Sequence, residues 1–89
     1  MAYVRFLPPF NKITGIDSLH MDVRNIRDLS NQLVSTFGKK IDLILDNNEQ
    51  LSKRIVVLVN RRNVHTLKGA DTVLNGDSEV IILPYIYGG

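Results

Sequence analysis

The first quarter of the chain combines strand-favouring runs with turn residues. Residues 2–7 favour a strand, and Pro8-Pro9 ends this run because proline has no N–H to donate to a strand ladder. A turn at residues 14–17 is followed by apolar and polar residues that alternate at period two over residues 18–22. These patterns predict two strands joined in a hairpin.

A helical period begins after Asn25. The Asn25 side chain can accept a hydrogen bond from a free amide of the first turn, and Asp28 places negative charge at the positive end of the helix. Gly38 can adopt the left-handed conformation of a helix C-cap. The apolar residues between these ends form one stripe, which comprises Ile26, Leu29, Leu33, Val34 and Phe37. We predict one amphipathic helix of about three turns with this stripe in the core.

The second half of the chain contains two strongly strand-like runs. Residues 54–59 are the most β-branched run and end in a turn at residues 60–63, before Val64-His65 as a short strand. A turn at residues 75–78 leads into residues 79–83, a nearly continuous apolar run that suits a strand buried on both faces. Residues 39–53 mix apolar and turn-forming residues, and we interpret them as a loop with a short strand or a helical turn.

The predicted order is strand, strand, helix, strand, short strand, strand. In so short a chain, one helix across a mixed sheet is the simplest way to cover the apolar faces of both elements. This order predicts an α+β fold of the β-grasp (ubiquitin-like) type, with four to five strands packed on one main helix. We expect one domain over residues 1–84 and a flexible C-terminal tail over residues 85–89.

Composition excludes several kinds of chemistry. The chain has no cysteine, so it can have no disulfide, thiolate metal site or cysteine nucleophile. His20 and His65 are far apart, and neither belongs to a metal-binding spacing, so we interpret both as half-exposed strand residues. We expect no metal and no bound cofactor.

Charge and hydropathy indicate the expected surroundings. The longest apolar runs fall far short of the roughly 20 residues that span a bilayer, and the N-terminal residues lack the pattern of an export signal. We therefore predict a cytoplasmic protein without membrane association. The net charge of +2 is spread over basic pairs without aromatic interleaving, which disfavours nucleic-acid binding and favours a protein partner with an acidic surface.

The last five residues, Tyr85-Ile86-Tyr87-Gly88-Gly89, carry the candidate chemistry. Two glycines leave no side chain around the final peptide, so this segment can extend into a narrow site. The ionised Gly89 carboxylate is a poor acyl donor and needs activation. An ATP-using partner can form an acyl-adenylate, which a sulfur nucleophile converts to a thiocarboxylate and a lysine amine converts to an isopeptide. The plainer interpretation is that Gly-Gly is only a frayed end.

Several motifs, in order, are similar to those of one family. Residues 7–15 resemble a segment with an aromatic residue, a leucine and a closing Thr-Gly. Residues 25–29 resemble a helix start, residues 57–60 a Val-x-Val-Asn strand end, and residues 74–80 a Leu-x-x-Gly-Asp-x-Val turn before the last strand. With the terminal Gly-Gly, this order resembles the MoaD/ThiS family of ubiquitin-like sulfur carriers over nearly the whole chain, and most closely the small subunit of molybdopterin synthase.

The resemblance implies a role for each residue of the tail. Gly89 would be adenylated by an E1-like enzyme of the MoeB/ThiF type and converted to a thiocarboxylate, while Gly88 supplies access. Pro84, Tyr85, Ile86 and Tyr87 would thread the channel of the partner. The sulfur would pass to a molybdenum or tungsten cofactor precursor in a larger, MoaE-like subunit, so the chain is a cosubstrate rather than an enzyme, and ATP is used by the activating partner.

The chain also departs from the family pattern. The family tail commonly has a small residue before the glycines, where this chain has Tyr87, and Asn11-Lys12 replaces a usual Arg-Glu. Tyrosines are frequent interface anchors. Tyr85 and Tyr87 are therefore either specificity elements in a wider channel or signs that the partner is not molybdopterin synthase. Two alternatives therefore stay open: a protein modifier of the archaeal or Urm1-like kind, and a β-grasp interaction module that needs no free carboxylate.

Overall fold

A computed structural model describes residues 1–38 and 54–85. The predicted loop over residues 39–53 and the tail residues 86–89 lie outside the described part. The strands are β1 (Ala2–Phe6), β2 (Ser18–Met21), β3 (Ile55–Val59), β4 (Arg62–Asn63) and β5 (Glu79–Pro84). The helices are α1 (Phe10–Thr14) and α2 (Ile26–Phe37), with 3-10 turns at Val64–Thr66 and Gly69–Asp71.

The five strands form one mixed sheet in the order β2-β1-β5-β3-β4. β1 and β2 pair antiparallel as the predicted hairpin, and β3 pairs antiparallel with both β4 and β5. The first and last strands of the chain, β1 and β5, pair in parallel at the centre of the sheet. With α2 packed on this sheet, the predicted β-grasp fold is confirmed.

The N-terminus of α2 is held by two reciprocal hydrogen bonds. The Asn25 Oδ1 accepts from the backbone N–H of Asp28 at 2.7 Å, and the Asp28 Oδ2 accepts from the backbone N–H of Arg24 at 3.0 Å. The first bond satisfies an amide of the first helical turn, and the second holds the residue before the cap, one position earlier than in a standard capping box. The predicted helix start is confirmed.

The C-terminus of α2 differs in detail from the prediction. Gly38 has φ 77° and ψ −165°, and its N–H donates to the carbonyl oxygen of Val34. The positive φ agrees with the prediction, but the extended ψ takes Gly38 out of the left-handed helical region, and the left-handed cap was wrong in this respect. Glycine reaches this region because it has no Cβ.

The core lies between α2 and one face of the sheet. From α2, Ile26, Leu29 and Leu33 are fully buried, while Val34 and Phe37 are partly buried against the same cluster. The Phe37 ring meets the ring of Phe6 edge-on, with centroids 6.1 Å apart. The predicted core stripe is confirmed.

Two local predictions need correction, and one helix was not predicted. The unpredicted helix is α1, one helical turn over residues 10–14 whose Phe10 is buried in the core. The short strand is Arg62–Asn63, and Val64–Thr66 is a 3-10 turn, which puts His65 outside any strand. Alternate residues of β5 are only half-buried, so the strand is buried on one face and not on both.

The turns around β5 follow the predicted chemistry. In the turn before β5, Asn75 accepts from the backbone amides of Asp77 and Ser78. In the β3–β4 turn, Asn60 and Arg61 have φ of 50° and 70°, as a two-residue turn of the primed type requires. No helix in the described ranges is long and apolar enough to cross a membrane.

Candidate partner-binding face and tail exit

The central strand of the sheet leads directly to the C-terminal tail. β5 lies between β1 and β3, and its last residue, Pro84, pairs with Ile55 at the start of β3. The next residue, Tyr85, donates its N–H to the carbonyl oxygen of Arg54 at 3.2 Å. The chain therefore leaves the sheet from its middle, at the end where β1 stops and β3 begins.

The structure describes two of the six predicted site residues, Pro84 and Tyr85. Pro84 is half-buried at the end of β5, and the side chain of Tyr85 is 51% exposed. Ile86, Tyr87, Gly88 and Gly89 lie outside the described residues, so their assigned roles stay predictions. Pro84 and Tyr85 mark where the tail begins.

Aliphatic side chains cover part of the outer face of the sheet, which is the face away from α2. They come from alternate positions of β3 and β5, where Val56 is opposite Leu83 and Leu58 is opposite Ile81. All four are only partly buried. We call Val56, Leu58, Ile81 and Leu83 the apolar platform.

The platform was missed in the sequence, although a signal was present. Both runs that form it are almost wholly apolar, and for residues 79–83 we interpreted this as a strand buried on both faces. In a chain with one helix to cover the sheet, apolar side chains on both faces instead predict an exposed apolar surface. Such a surface beside a functional segment is typical of a protein interaction site.

The other half of the outer face is polar. Tyr3 and Arg5 of β1 project there, opposite His20 and Ser18 of β2. The Tyr3 and His20 rings lie 4.9 Å apart in a tilted arrangement. The face is therefore apolar over β3 and β5 and polar over β1 and β2.

Metal-binding residues do not cluster in residues 1–38 and 54–85. No group of three or more His, Asp or Glu side chains there could hold a metal ion. His20 is exposed on β2, and His65 is exposed on a 3-10 turn.

Comparison with known proteins identifies the family. The ThiS family matches residues 4–89. A protein of Archaeoglobus fulgidus, named as a candidate sulfur carrier, is 34% identical over 74 residues, covering 83% of this chain and 81% of its own length.

Two solved structures share the fold over almost the whole chain. A chain of the Amycolatopsis orientalis BexX/CysO complex superposes with a TM-score of 0.86 at 22% identity, covering 100% of both chains. The small archaeal modifier protein 1 of Methanosarcina acetivorans superposes with a TM-score of 0.84 at 22% identity, covering 99% of this chain and 95% of its own. The likeness at this identity concerns the fold, whereas the family match and the archaeal relative concern the sequence itself. The chain belongs to the ThiS family of ubiquitin-like sulfur carriers.

Proposed function

We propose that this protein carries sulfur as a thiocarboxylate on Gly89. A carboxylate oxygen of Gly89 attacks the α-phosphate of ATP, pyrophosphate leaves, and an acyl-adenylate forms. A persulfide sulfur then attacks the acyl carbon and AMP leaves. Reductive cleavage of the sulfur–sulfur bond by a second thiol of the sulfur donor leaves the thiocarboxylate and oxidises that donor to a disulfide.

The observation that carries this proposal is the exit of the tail from the central strand beside the apolar platform. Leu83 belongs to the platform and is only two residues before Tyr85, so a partner that covers the platform lies within reach of the tail. A residue of extended chain spans about 3.3–3.6 Å, so the five residues after Pro84 can reach roughly 17 Å into such a partner. That reach suits delivery of a terminal carboxylate to a buried site.

The partner that fits this geometry is an E1-like adenylating enzyme. It binds ATP and performs the chemistry, and this chain acts as its cosubstrate and holds no cofactor. Pro84, Tyr85, Ile86 and Tyr87 line the entry to its channel in this proposal. The sulfur acceptor we propose is a molybdopterin precursor bound to the larger subunit of molybdopterin synthase.

Intact mass spectrometry tests the carrier chemistry. The chain is incubated with a cognate E1-like enzyme, ATP and a sulfur donor, and a gain of about 16 Da, one oxygen exchanged for sulfur, is expected. A variant lacking Gly88 and Gly89 is the matched control and should gain nothing. An enzyme shown to load another carrier but unable to load this one would contradict the proposal.

A second use of the same tail is protein modification. The fold shared with a small archaeal modifier protein makes isopeptide formation with lysine the next candidate. Conjugates of higher mass in extracts of the source organism, lost when Gly88 and Gly89 are deleted, would support it. Transfer of the sulfur to a purified molybdopterin precursor without conjugates supports the first proposal.

A further inference from the structure

A cleft lies on the polar half of the outer face, beside the apolar platform. Its volume is about 310 Å³, and it lies between β1, the start of β2 and α1. Its lining includes Tyr3, Arg5, Asn11 and Asp17. Because Arg5 pairs with Ile81 of the platform across the β1–β5 ladder, the two surfaces are continuous. We call this feature the Arg5 cleft.

Arg5 forms no salt bridge with a described residue, although two acids lie nearby: Asp17 lines the same cleft, and Glu79 is opposite Tyr3 on the same face of the sheet. The Arg5 guanidinium makes no hydrogen bond to a described residue either, and its cross-strand neighbours are Ser18 and Ile81, neither of which is acidic. The acid of the cleft is Asp17, whose Oδ1 accepts a hydrogen bond from the Asn11 side-chain amide at 3.1 Å. Asp17 is therefore held by Asn11 rather than by Arg5.

Asp17 brings acceptor oxygens to the lining of the cleft. Its side chain is exposed, so its carboxylate can accept further hydrogen bonds from a ligand. The Asn11 Oδ1 has no donor among the described residues, but it has almost no accessible surface and a ligand in the cleft does not reach it. The cleft thus combines an Arg5 guanidinium that has no partner among the described residues with the acceptor oxygens of Asp17.

We propose that the Arg5 cleft receives an acidic side chain from the protein partner that binds the apolar platform. A peptide segment with Asp or Glu matches this lining, since its carboxylate can pair with Arg5 and a neighbouring backbone N–H can donate to Asp17. Arg is suited to this role because its planar fork binds a carboxylate through two parallel hydrogen bonds. The cleft selects the partner, while the platform supplies apolar contact area.

This inference rests on the proposed function because it assigns the partner as the activating enzyme. Binding of the cognate enzyme without ATP is measured for the wild type, Arg5→Glu and Arg5→Gln. Arg62→Glu is the matched control, since Arg62 is exposed on β4 at the opposite edge of the sheet and the charge change is the same. Urea unfolding checks that all variants fold.

We expect Arg5→Glu to weaken binding and raise the KM for loading at least about tenfold with kcat unchanged, and Arg62→Glu to stay within about twofold. Arg5→Gln should fall between them. Equal effects of Arg5→Glu and Arg62→Glu would overturn the proposal, because they would show that binding depends on the net charge of the protein rather than on the Arg5 cleft. Arg5-dependent binding without any gain of sulfur would contradict the carrier function and leave the cleft standing.

A carrier-only measurement covers the case in which the enzyme does not bind at all. The peptide acetyl-Gly-Glu-Gly-amide is titrated into the 15N-labelled protein, with acetyl-Gly-Gln-Gly-amide as the control. Shifts confined to Arg5, Asn11 and Ser18, present with the glutamate peptide and absent in Arg5→Gln, support the cleft. Absence of such shifts contradicts it.

Discussion

On β3 and β5 the two faces of the sheet carry the same aliphatic residue types, yet they differ in burial. On β5, Ile82 is 0% exposed on the inner face, whereas its neighbour Ile81 is only partly buried on the outer face. On β3, Val57 is 2% exposed, whereas Val56 is partly buried. The difference arises because α1, α2 and the turn Val64–Thr66 all place their buried residues in the inner core.

This difference separates stability from function. Burial of an aliphatic side chain contributes about 1.5–3 kcal/mol, so the inner residues supply most of the stability of the fold. The platform residues contribute less to the fold, because part of their apolar surface stays in water. Apolar surface that the fold does not bury is available to a partner, and the platform lies where the tail begins.

The largest expected effect is a difference in stability between substitutions on the two faces of β5. Ile82→Ala should lower the free energy of unfolding by about 2–5 kcal/mol, because it leaves a cavity in a fully packed core. Ile81→Ala removes the same atoms from the outer face and should cost about 1 kcal/mol, since water refills the space. Urea denaturation of both variants measures the contrast, and equal losses would remove the distinction between the faces.

We expect the apolar platform to affect the rate of thiocarboxylate formation more than it affects the stability of the fold. Ile81→Ala combined with Leu58→Ala should lower kcat/KM for thiocarboxylate formation by about tenfold, because apolar contacts at the centre of an interface contribute most of its energy. Val73→Ala is the control, since Val73 is 71% exposed away from the sheet. Loading rates at several carrier concentrations measure the effect, and an unchanged kcat/KM would place the interface elsewhere.

The cover of the inner face depends on the start of α2. Asn25→Ala should lower the free energy of unfolding by about 1 kcal/mol, because the Asp28 amide loses its acceptor at 2.7 Å. Asn25→Ser keeps an acceptor and should restore most of the loss. Denaturant midpoints of the two variants test the cap, and a loss of stability that serine does not restore would assign another role to Asn25.

The smallest effect concerns the β3–β4 turn. Arg61 has φ 70°, a region that glycine enters without the steric cost of a Cβ. Arg61→Gly should therefore raise the free energy of unfolding by up to about 1 kcal/mol, and Arg61→Ala should not raise it. Thermal and urea unfolding of both variants decide this, and a loss of stability with glycine would contradict the strain.

Local features were predictable because neighbouring residues decide them. Asn25 caps α2 through a residue only three positions away, and the turn before β5 forms from the side chain of Asn75 itself. The helix α1 escaped prediction because five residues after Pro8-Pro9 show too little periodicity, and only the docking of Phe10 in the core stabilises the turn. The sequence pattern likewise could not predict the extended ψ angle of Gly38.

The candidate site also has parts that could be predicted from the sequence and parts that could not. The acyl chemistry proposed for Gly89 was inferred from the residues of the tail and stays a prediction, because Gly89 lies outside the described residues. The Arg5 cleft could not be predicted, because it forms only when β1, the start of β2 and α1 come together. Asn11 was noticed only as a departure from the family, without a consequence.

By itself the sequence determined the strand and helix periods, the helix cap and the turns, since each depends on residues close in the chain. Only the tertiary structure decided that β5 lies at the centre, that one face of β3 and β5 stays open, and that Arg5 lacks a partner among the described residues. The physical reason is that burial depends on which distant segments pack together, and the parallel pairing of β1 with β5 joins segments more than 70 residues apart.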